Sequence, residues 1–455
     1  MRRVAKGLRM HFTACRNRFP MKSPFAVPSS HLPRPAALAL VFALALGSGS
    51  AWTQGSPDTP TLGASPQALI EYARQSNPGF AAARAEASAA QERVTPAGAL
   101  PDPTFEVELM DATNTMSGRS ASLLPGQVGE TRYRITQPLP GWGKRELAVK
   151  AAEAQAIQAD AMRDTSWAEL AAKIEALWLR YYAADRELVL NRDGLALLKS
   201  LEELSLARYA LGLLPQQAVL RMQREISAQR LALVEIEQRR KGLAAGLNGL
   251  LGRSHDAPLA TPADPAPLPE HLDAGALFEA AASANPEVNA AAYGIDVARA
   301  ERERTYQDRL PDFAVGVRNN RPDEGKSSWD VMFEVMIPLQ QSSRRARERE
   351  AEYMLMAAEA RREDAKARAS GELGIAWSMY AQGRETLRLL EHTLLPQAQA
   401  TRDASQAALS SGKVDFDSVI EAERQLIDIR TQRLKTELDT RLALTEIKKL
   451  TGDLK

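Results

Sequence analysis

Four short stretches of this chain alternate apolar and polar residues with the period of two that a β-strand requires. Phe105, Val107 and Leu109 share one face, and Glu106 and Glu108 the other. Tyr133 and Ile135 stand opposite Arg132 and Arg134. Further on, Phe313, Val315 and Val317 alternate with Ala314, Gly316 and Arg318. Val331, Phe333, Val335 and Ile337 alternate with Met332, Glu334 and Met336. The pattern predicts strands over about 103–111, 130–138, 312–319 and 328–338. One apolar side and one charged side suit a membrane barrel with a wet interior, and a half-buried soluble sheet would alternate in the same way. The long polar stretch Asp111–Gly129 and the shorter Asn319–Ser327 lie between paired strands, where external loops would sit. Four strands cannot close a cylinder, and open edges are not tolerated in lipid. A barrel therefore requires several copies, and three would supply twelve strands.

The rest of the chain has helical periodicity. No proline falls between Gly143 and Leu211, so roughly seventy residues can run about 100 Å as one helix. Its apolar seam is Leu170, Ile174, Leu177, Tyr181, Ala184, Leu188, Asn191, Leu195 and Leu198. That spacing of three and four is a heptad seam with one polar interruption. A second seam runs Leu373, Ala376, Tyr380, Gly383, Leu387, Leu390 and Leu394, and Pro396 predicts a bend or a lost hydrogen bond there. Return helices are expected from about Pro215 to Leu251 and from Asp417 to Leu450, turning at Gly212 and Gly412. Shorter helices are expected over 66–76 and 273–284, each stopped by Asn-Pro, then over about 79–95 and 287–309.

These elements occur twice. Asn77-Pro78 recurs as Asn285-Pro286, Leu100-Pro101-Asp102 as Leu310-Pro311-Asp312, and Pro138-Leu139 as Pro338-Leu339, at offsets of 208, 210 and 200. Gly212 recurs as Gly412, and Leu250-Leu251-Gly252 as Leu450-Thr451-Gly452. The period is too long for a solenoid and marks a duplicated half. The first repeat spans 52–254 with a hairpin over about 143–251, and the second spans 273–455 with a hairpin over about 341–451. A Pro/Ala linker, 255–272, joins them across the outside.

Composition narrows the compartment. Lys22, His31 and Arg34 precede an apolar run from Ala36 to Leu46, then small residues to Ala51. This predicts a signal peptide over 1–51, with translation starting at Met1, Met10 or Met21. The single cysteine, Cys15, falls in that leader, so the processed chain has no disulfide, thiolate metal site or lipid anchor on cysteine. No later stretch suits a transmembrane helix. Fifty-eight basic and fifty-seven acidic residues leave no general footprint for nucleic acid.

Candidate chemistry is sparse, and no enzyme or cofactor is expected. His255, His271 and His392 lack metal-ligand spacing, and Glu202-Glu203 point apart on their helix. Met110, Met116, Met332 and Met336 could offer thioethers to a soft cation, with Met332 and Met336 on the charged strand face; filling a strand interface is the commoner use of methionine. Asp415, Asp417, Glu421 and Glu423 crowd the start of the last helix, where carboxylates cap and complement its dipole. Repeated by threefold symmetry they would form an acidic ring that attracts cations.

The two-half layout, the segment Gln137-Pro138-Leu139-Pro140-Gly141-Trp142-Gly143-Lys144 and the tip Ala408–Ala422 resemble the TolC-type outer-membrane efflux proteins. Pro101-Asp102-Pro103 together with Pro138–Lys144 resembles the heavy-metal cation branch served by resistance-nodulation-division pumps, although glycine stands where that branch commonly has its second proline. The resemblance implies a membrane α+β protein: a homotrimer whose twelve-stranded outer-membrane β-barrel, four strands per protomer, continues into a periplasmic α-helical coiled-coil barrel. It implies a passive exit duct in the outer membrane, with most of its mass in the periplasm, for an inner-membrane pump and a periplasmic adaptor. Heavy-metal cations are the favoured cargo, with drug efflux or type I secretion as alternatives; a periplasmic adaptor or structural coiled-coil protein is the reading from another class. In the family, tip residues meet the adaptor, which here points to Gly212, Leu213, Gly412, Lys413 and Val414. The family's two constriction aspartates fall on Ser418 and Glu421, giving Asp415, Asp417 and Glu421 as the gate candidates.

Overall fold

Asparagine before proline does the same work at two places in the chain. Helix α1 (Pro66–Ser76) ends at Asn77, whose side chain then caps α2 (Pro78–Glu92) by accepting from Phe80 N at 2.8 Å. Asn285 follows α6 (Ala274–Ser283) and caps α7 (Pro286–Gln307), accepting from Glu287 N and Val288 N at 2.9 and 3.1 Å. Each asparagine also donates to the end of a distant helix, Asn77 to the Leu250 carbonyl (2.7 Å) and Asn285 to the Leu450 carbonyl (3.0 Å). The next glycines complete both junctions. Gly252 and Gly452 adopt φ of +66° and +76°, and a Cβ there would meet the Ser76 or Ala284 carbonyl at 2.9 or 2.6 Å. Only glycine accepts both that backbone and that approach.

The computed structural model describes residues 62–115, 118–411 and 413–454. The predicted leader with Cys15, Met116 and the second tip glycine, Gly412, lie outside them. After α2 come a one-turn helix α3 (Val94–Ala97), strands β1 (Thr104–Met110) and β2 (Glu130–Leu139), then α4 (Lys144–Ala210) and α5 (Gln216–Leu250). After α7 come β3 (Asp312–Pro322), β4 (Ser328–Met336), α8 (Gln341–Leu389), α9 (Leu395–Ser410) and α10 (Phe416–Thr451). The third strand continues three residues past its expected end and the fourth stops at Met336, so the turn between them is tighter than the polar stretch suggested.

Helix α4 is 67 residues, about 100 Å. Its seam is buried at Leu170, Ile174, Tyr181, Ala184, Leu188 and Leu198. The polar interruption, Asn191, is buried and satisfied: its carboxamide oxygen accepts from Gln229 Nε2 on α5 at 2.7 Å, and its Nδ2 donates to the Glu187 carbonyl. A buried amide pair of this kind fixes one register between two helices. One core gathers Leu69, Phe80, Trp167, Ile174, Trp178, Leu247 and Leu251; its counterpart gathers Ala281, Leu373, Tyr380, Ala443, Ile447 and Leu450. The linker is tied to the helices and to the start of the first repeat. Tyr182 donates to Asp264 (2.9 Å), Tyr380 to the Pro269 carbonyl (2.8 Å), and Ala260 N to the Leu62 carbonyl (2.9 Å).

Between α8 and α9 the chain makes one π turn, Leu390–Leu394, with Leu395 N–H reaching back five residues to the Leu390 carbonyl. Pro396, in the first turn of α9, lacks an N–H to donate, and the turn before it widens into this π turn. A π turn inserts one residue, and the insertion is visible in the duplication. Before it, Trp178 and Tyr181 correspond to Trp377 and Tyr380 at an offset of 199. Beyond it, Leu213 N bonds the Arg208 carbonyl and Lys413 N the Ala408 carbonyl, at an offset of 200.

The strands form one antiparallel sheet in the order β1-β2-β3-β4. Among the described residues the outer edges of β1 and β4 have no strand partner.

Candidate functional site

The register sorts the sheet into two chemically distinct faces. On one, Phe105, Ile135, Val317 and Val331 form a row across all four strands, followed by Val107, Tyr133, Asn319 and Trp329. On the other, Glu106, Arg134, Arg318 and Asp330 form a row, with Glu108, Arg132 and Asn320 beside it. The charged face is tied by cross-strand pairs: Arg134–Glu106 at 3.1 Å, Arg318–Asp330 at 2.7 Å and Arg132–Glu108 at 3.6 Å. Met332 and Met336 lie on this face, opposite Gly316 and Asp312.

The apolar face is bare. Phe333 is 80% exposed, Trp329 72%, and Phe105 and Val331 64%. Aromatic side chains mark both ends of that face, with Trp329 toward the β3–β4 turn and Phe313, packed on Trp142 at 5.3 Å, toward the helices. Asn319, paired with Trp329, and Phe313 are six residues apart on β3, about 20 Å, close to the height of an outer-membrane apolar band. No described helix is long and apolar enough to cross a membrane.

At the far end of the hairpins the two tips share one core. Leu198 and Leu201 of α4, Met222 and Ile226 of α5, Leu409 of α9, and Phe416, Val419 and Ile420 of α10 are buried together. Val414, a docking candidate, packs partly against this cluster, whereas Lys413 is exposed. Gly212 turns at φ +72° with open space around it, and Leu211 and Leu213 beside it are 74% and 72% exposed.

The four acids of this tip have different surroundings. Asp415 is the N-cap of α10, accepting from Ser418 N at 3.1 Å and Ser418 Oγ at 2.6 Å, which holds its carboxyl below the usual range. Asp417 reaches across to the first hairpin and pairs with Arg221 of α5 at 2.5 Å. Glu421 is exposed, accepting from Gln425 at 3.3 Å. Glu423 turns inward, 3% exposed; burial pushes its carboxyl up, opposed by Arg402 at 3.9 Å and the Gln406 amide at 3.2 Å. The expected cluster is therefore divided among a cap, a bridge between hairpins, an exposed carboxylate and a buried one. Sequence reading missed Arg221, and with it Glu225, which meets Arg424 of α10 at 3.7 Å. Both lie on the α5 face toward α10, and no local spacing announces a partner about two hundred residues away.

His255, His271 and His392 are all exposed, and no group of three or more His, Cys, Asp or Glu side chains able to hold a metal ion occurs among the described residues.

The sequence matches a family model described as outer membrane efflux protein twice, over residues 69–253 and 277–453. No curated protein matches it. Among solved structures, a membrane protein from Pseudomonas aeruginosa superposes with a TM-score of 0.73 at 17% identity, over 86% of this chain and 91% of that one. The CusC channel gives 0.71 at 16%, over 85% and 92%, and the outer membrane protein VceC of Vibrio cholerae 0.68 at 18%, over 85% and 96%. At these identities the likeness is one of fold.

Proposed function

The chain belongs to the outer membrane efflux protein family, a family of passive outer-membrane channels rather than enzymes, and from that premise we propose how this member is built and what it carries. It resides in the outer membrane with a large helical part in the periplasm. Three copies close their sheets into a twelve-stranded barrel, and their hairpins continue it as a tunnel. The observation that carries this reading is a four-stranded sheet with one bare apolar face, one charged face and two unpaired edges. Lipid covers the first, water the second, and neighbouring copies the third.

The tunnel receives cargo from an inner-membrane pump through a periplasmic adaptor. Gly212, Leu213, Gly412, Lys413 and Val414 form the docking tips, supported by the exposed leucines at the first. Asp417 and Glu421 line the periplasmic mouth, while Asp415 serves it indirectly by capping α10. Heavy-metal cations are the cargo: the resemblance of Pro101–Pro103 and Pro138–Lys144 favours them, and Met332, Glu334 and Met336 on the charged face are compatible with a cation path. Deleting the protein should sensitise its host to metal salts and leave drug tolerance unchanged. Sensitivity to drugs alone would retain the duct and overturn the cargo.

A further inference from the structure

The contacts between β2–α4 and α7–β3 inside one chain form a template for the contact between copies. At that inner junction Asp312, opening β3, accepts from Gly141 N and from Lys144 Nζ, both at 2.8 Å, and so ties the entry of α4 to the neighbouring strand. Helix α7 lies along α4, with Gln155 Nε2 donating to Glu301 at 3.0 Å and Gly294 against Gln158. Asp102, two residues before β1, stands where Asp312 opens β3, yet among the described residues it has no ion pair or side-chain hydrogen bond. The same holds for Glu86 and Glu92 on α2. At the opposite edge, the first turn of α8 carries no acid and its N-cap has no side-chain bond, while Arg345, Arg347 and Arg349 form no ion pair among the described residues. Helix starts favour negative charge, so this basic end lacks its partner.

We infer that the α2–β1 edge of one copy seats on the β4–α8 edge of the next, with Asp102 taking the first turn of α8 as Asp312 takes the turn into α4. This rests on the ring proposed above. The strand register follows from the duplication: β1 maps to β3 at 210 and β2 to β4 at 198, so the pair Ile135↔Val317 becomes Phe333 opposite Val107 of the next copy. Gln137↔Val315 likewise becomes Val335 opposite Phe105. Both put apolar on apolar, and a slip of one residue would turn the faces over. Along the helices, the antiparallel α7–α4 register brings Glu92 level with Arg349, opposite in sign. The two junctions differ at both groups that hold Asp312. Gly141 admits the Pro311 carbonyl, which a Cβ would meet at 2.4 Å, whereas the second copy has Gln340 and Gln341 there. Asp102 therefore reaches side chains, Ser343 foremost, which stands where Lys144 stands on α4 at the helix offset of 199.

Paired cysteines test this in the full chain with Cys15→Ser. Asp102→Cys with Ser343→Cys should give covalent two- and three-chain species on a non-reducing gel, absent from either single variant. Within one chain the two edges are three strand spacings apart, about 14 Å, beyond a disulfide's reach. Val107→Cys with Phe333→Cys reports the strand seam alone. Linkage from the second pair but not the first would overturn the Asp102 contact and leave the ring standing. Linkage from neither, in protein recovered from the outer membrane, would overturn the ring itself. Glu92→Arg should lower the temperature at which the oligomer dissociates, and Arg349→Glu in the same chain should restore it; failure to restore would show that Glu92 acts within its own chain.

Discussion

Replacing Asp417 by Asn removes one charge of the bridge that joins the two hairpins near their tips. The pair is Arg221 and Asp417 at 2.5 Å, with side chains 60% and 46% exposed, so solvent screens it heavily. Exposed pairs contribute about 0.2–1 kcal/mol each. In the proposed threefold ring, an opening that parts α10 from α5 would break all three bridges together, giving about 0.6–3 kcal/mol, or a roughly 3- to 150-fold rise in the open-to-closed ratio. The neighbouring Glu225–Arg424 contact, at 3.7 Å, remains and should keep the effect toward the lower end. Planar-bilayer recording of single channels reads the ratio directly. Salt supplies the control: the Debye length falls from about 10 Å at 0.1 M to about 3 Å at 1 M, so the difference from wild type should shrink at high salt. An unchanged open fraction at 0.1 M, or an increase that persists undiminished at 1 M, would refute the bridge as a tie on the mouth.

Two further outcomes follow from the same geometry. Burial pushes the Glu423 carboxyl up from its ordinary range, so its folded form is favoured while protonated and loses stability as pH rises through the elevated value. Glu423→Gln should therefore raise the melting temperature at pH 7, with the gain fading toward pH 4; a gain equal at both would contradict the assignment. Asn285→Ala removes the cap on α7 and leaves the Leu450 carbonyl unpaired, about 2–4 kcal/mol in all. Exchange of the Glu287 and Val288 amides should speed up at least tenfold, and unchanged exchange would deny the cap its role.

Elements set by local spacing were legible in the sequence alone. The strand alternation at Val331–Ile337, the Asn-Pro stops and the proline-free run of α4 are all properties of neighbouring residues. The π turn was legible too, in the change of offset from 199 to 200 between Tyr181/Tyr380 and the tips, but reading it requires knowing that one inserted residue can be absorbed inside a helix. The tip acids were not sortable from sequence. Asp415, Asp417, Glu421 and Glu423 look alike in a row, and what separates them is which face of α10 meets α5, α9 or solvent. That is a tertiary fact with no local signal. What holds the linker was not legible either, because the side chains that bind it, Tyr182 and Tyr380, sit on the helices.

Native mass spectrometry of protein extracted from the outer membrane in mild detergent tests the whole account most directly. The account predicts a complex of three processed chains, stable without any partner protein, because each sheet's two free edges close only on further copies. A single chain that remains in solution without detergent would contradict it.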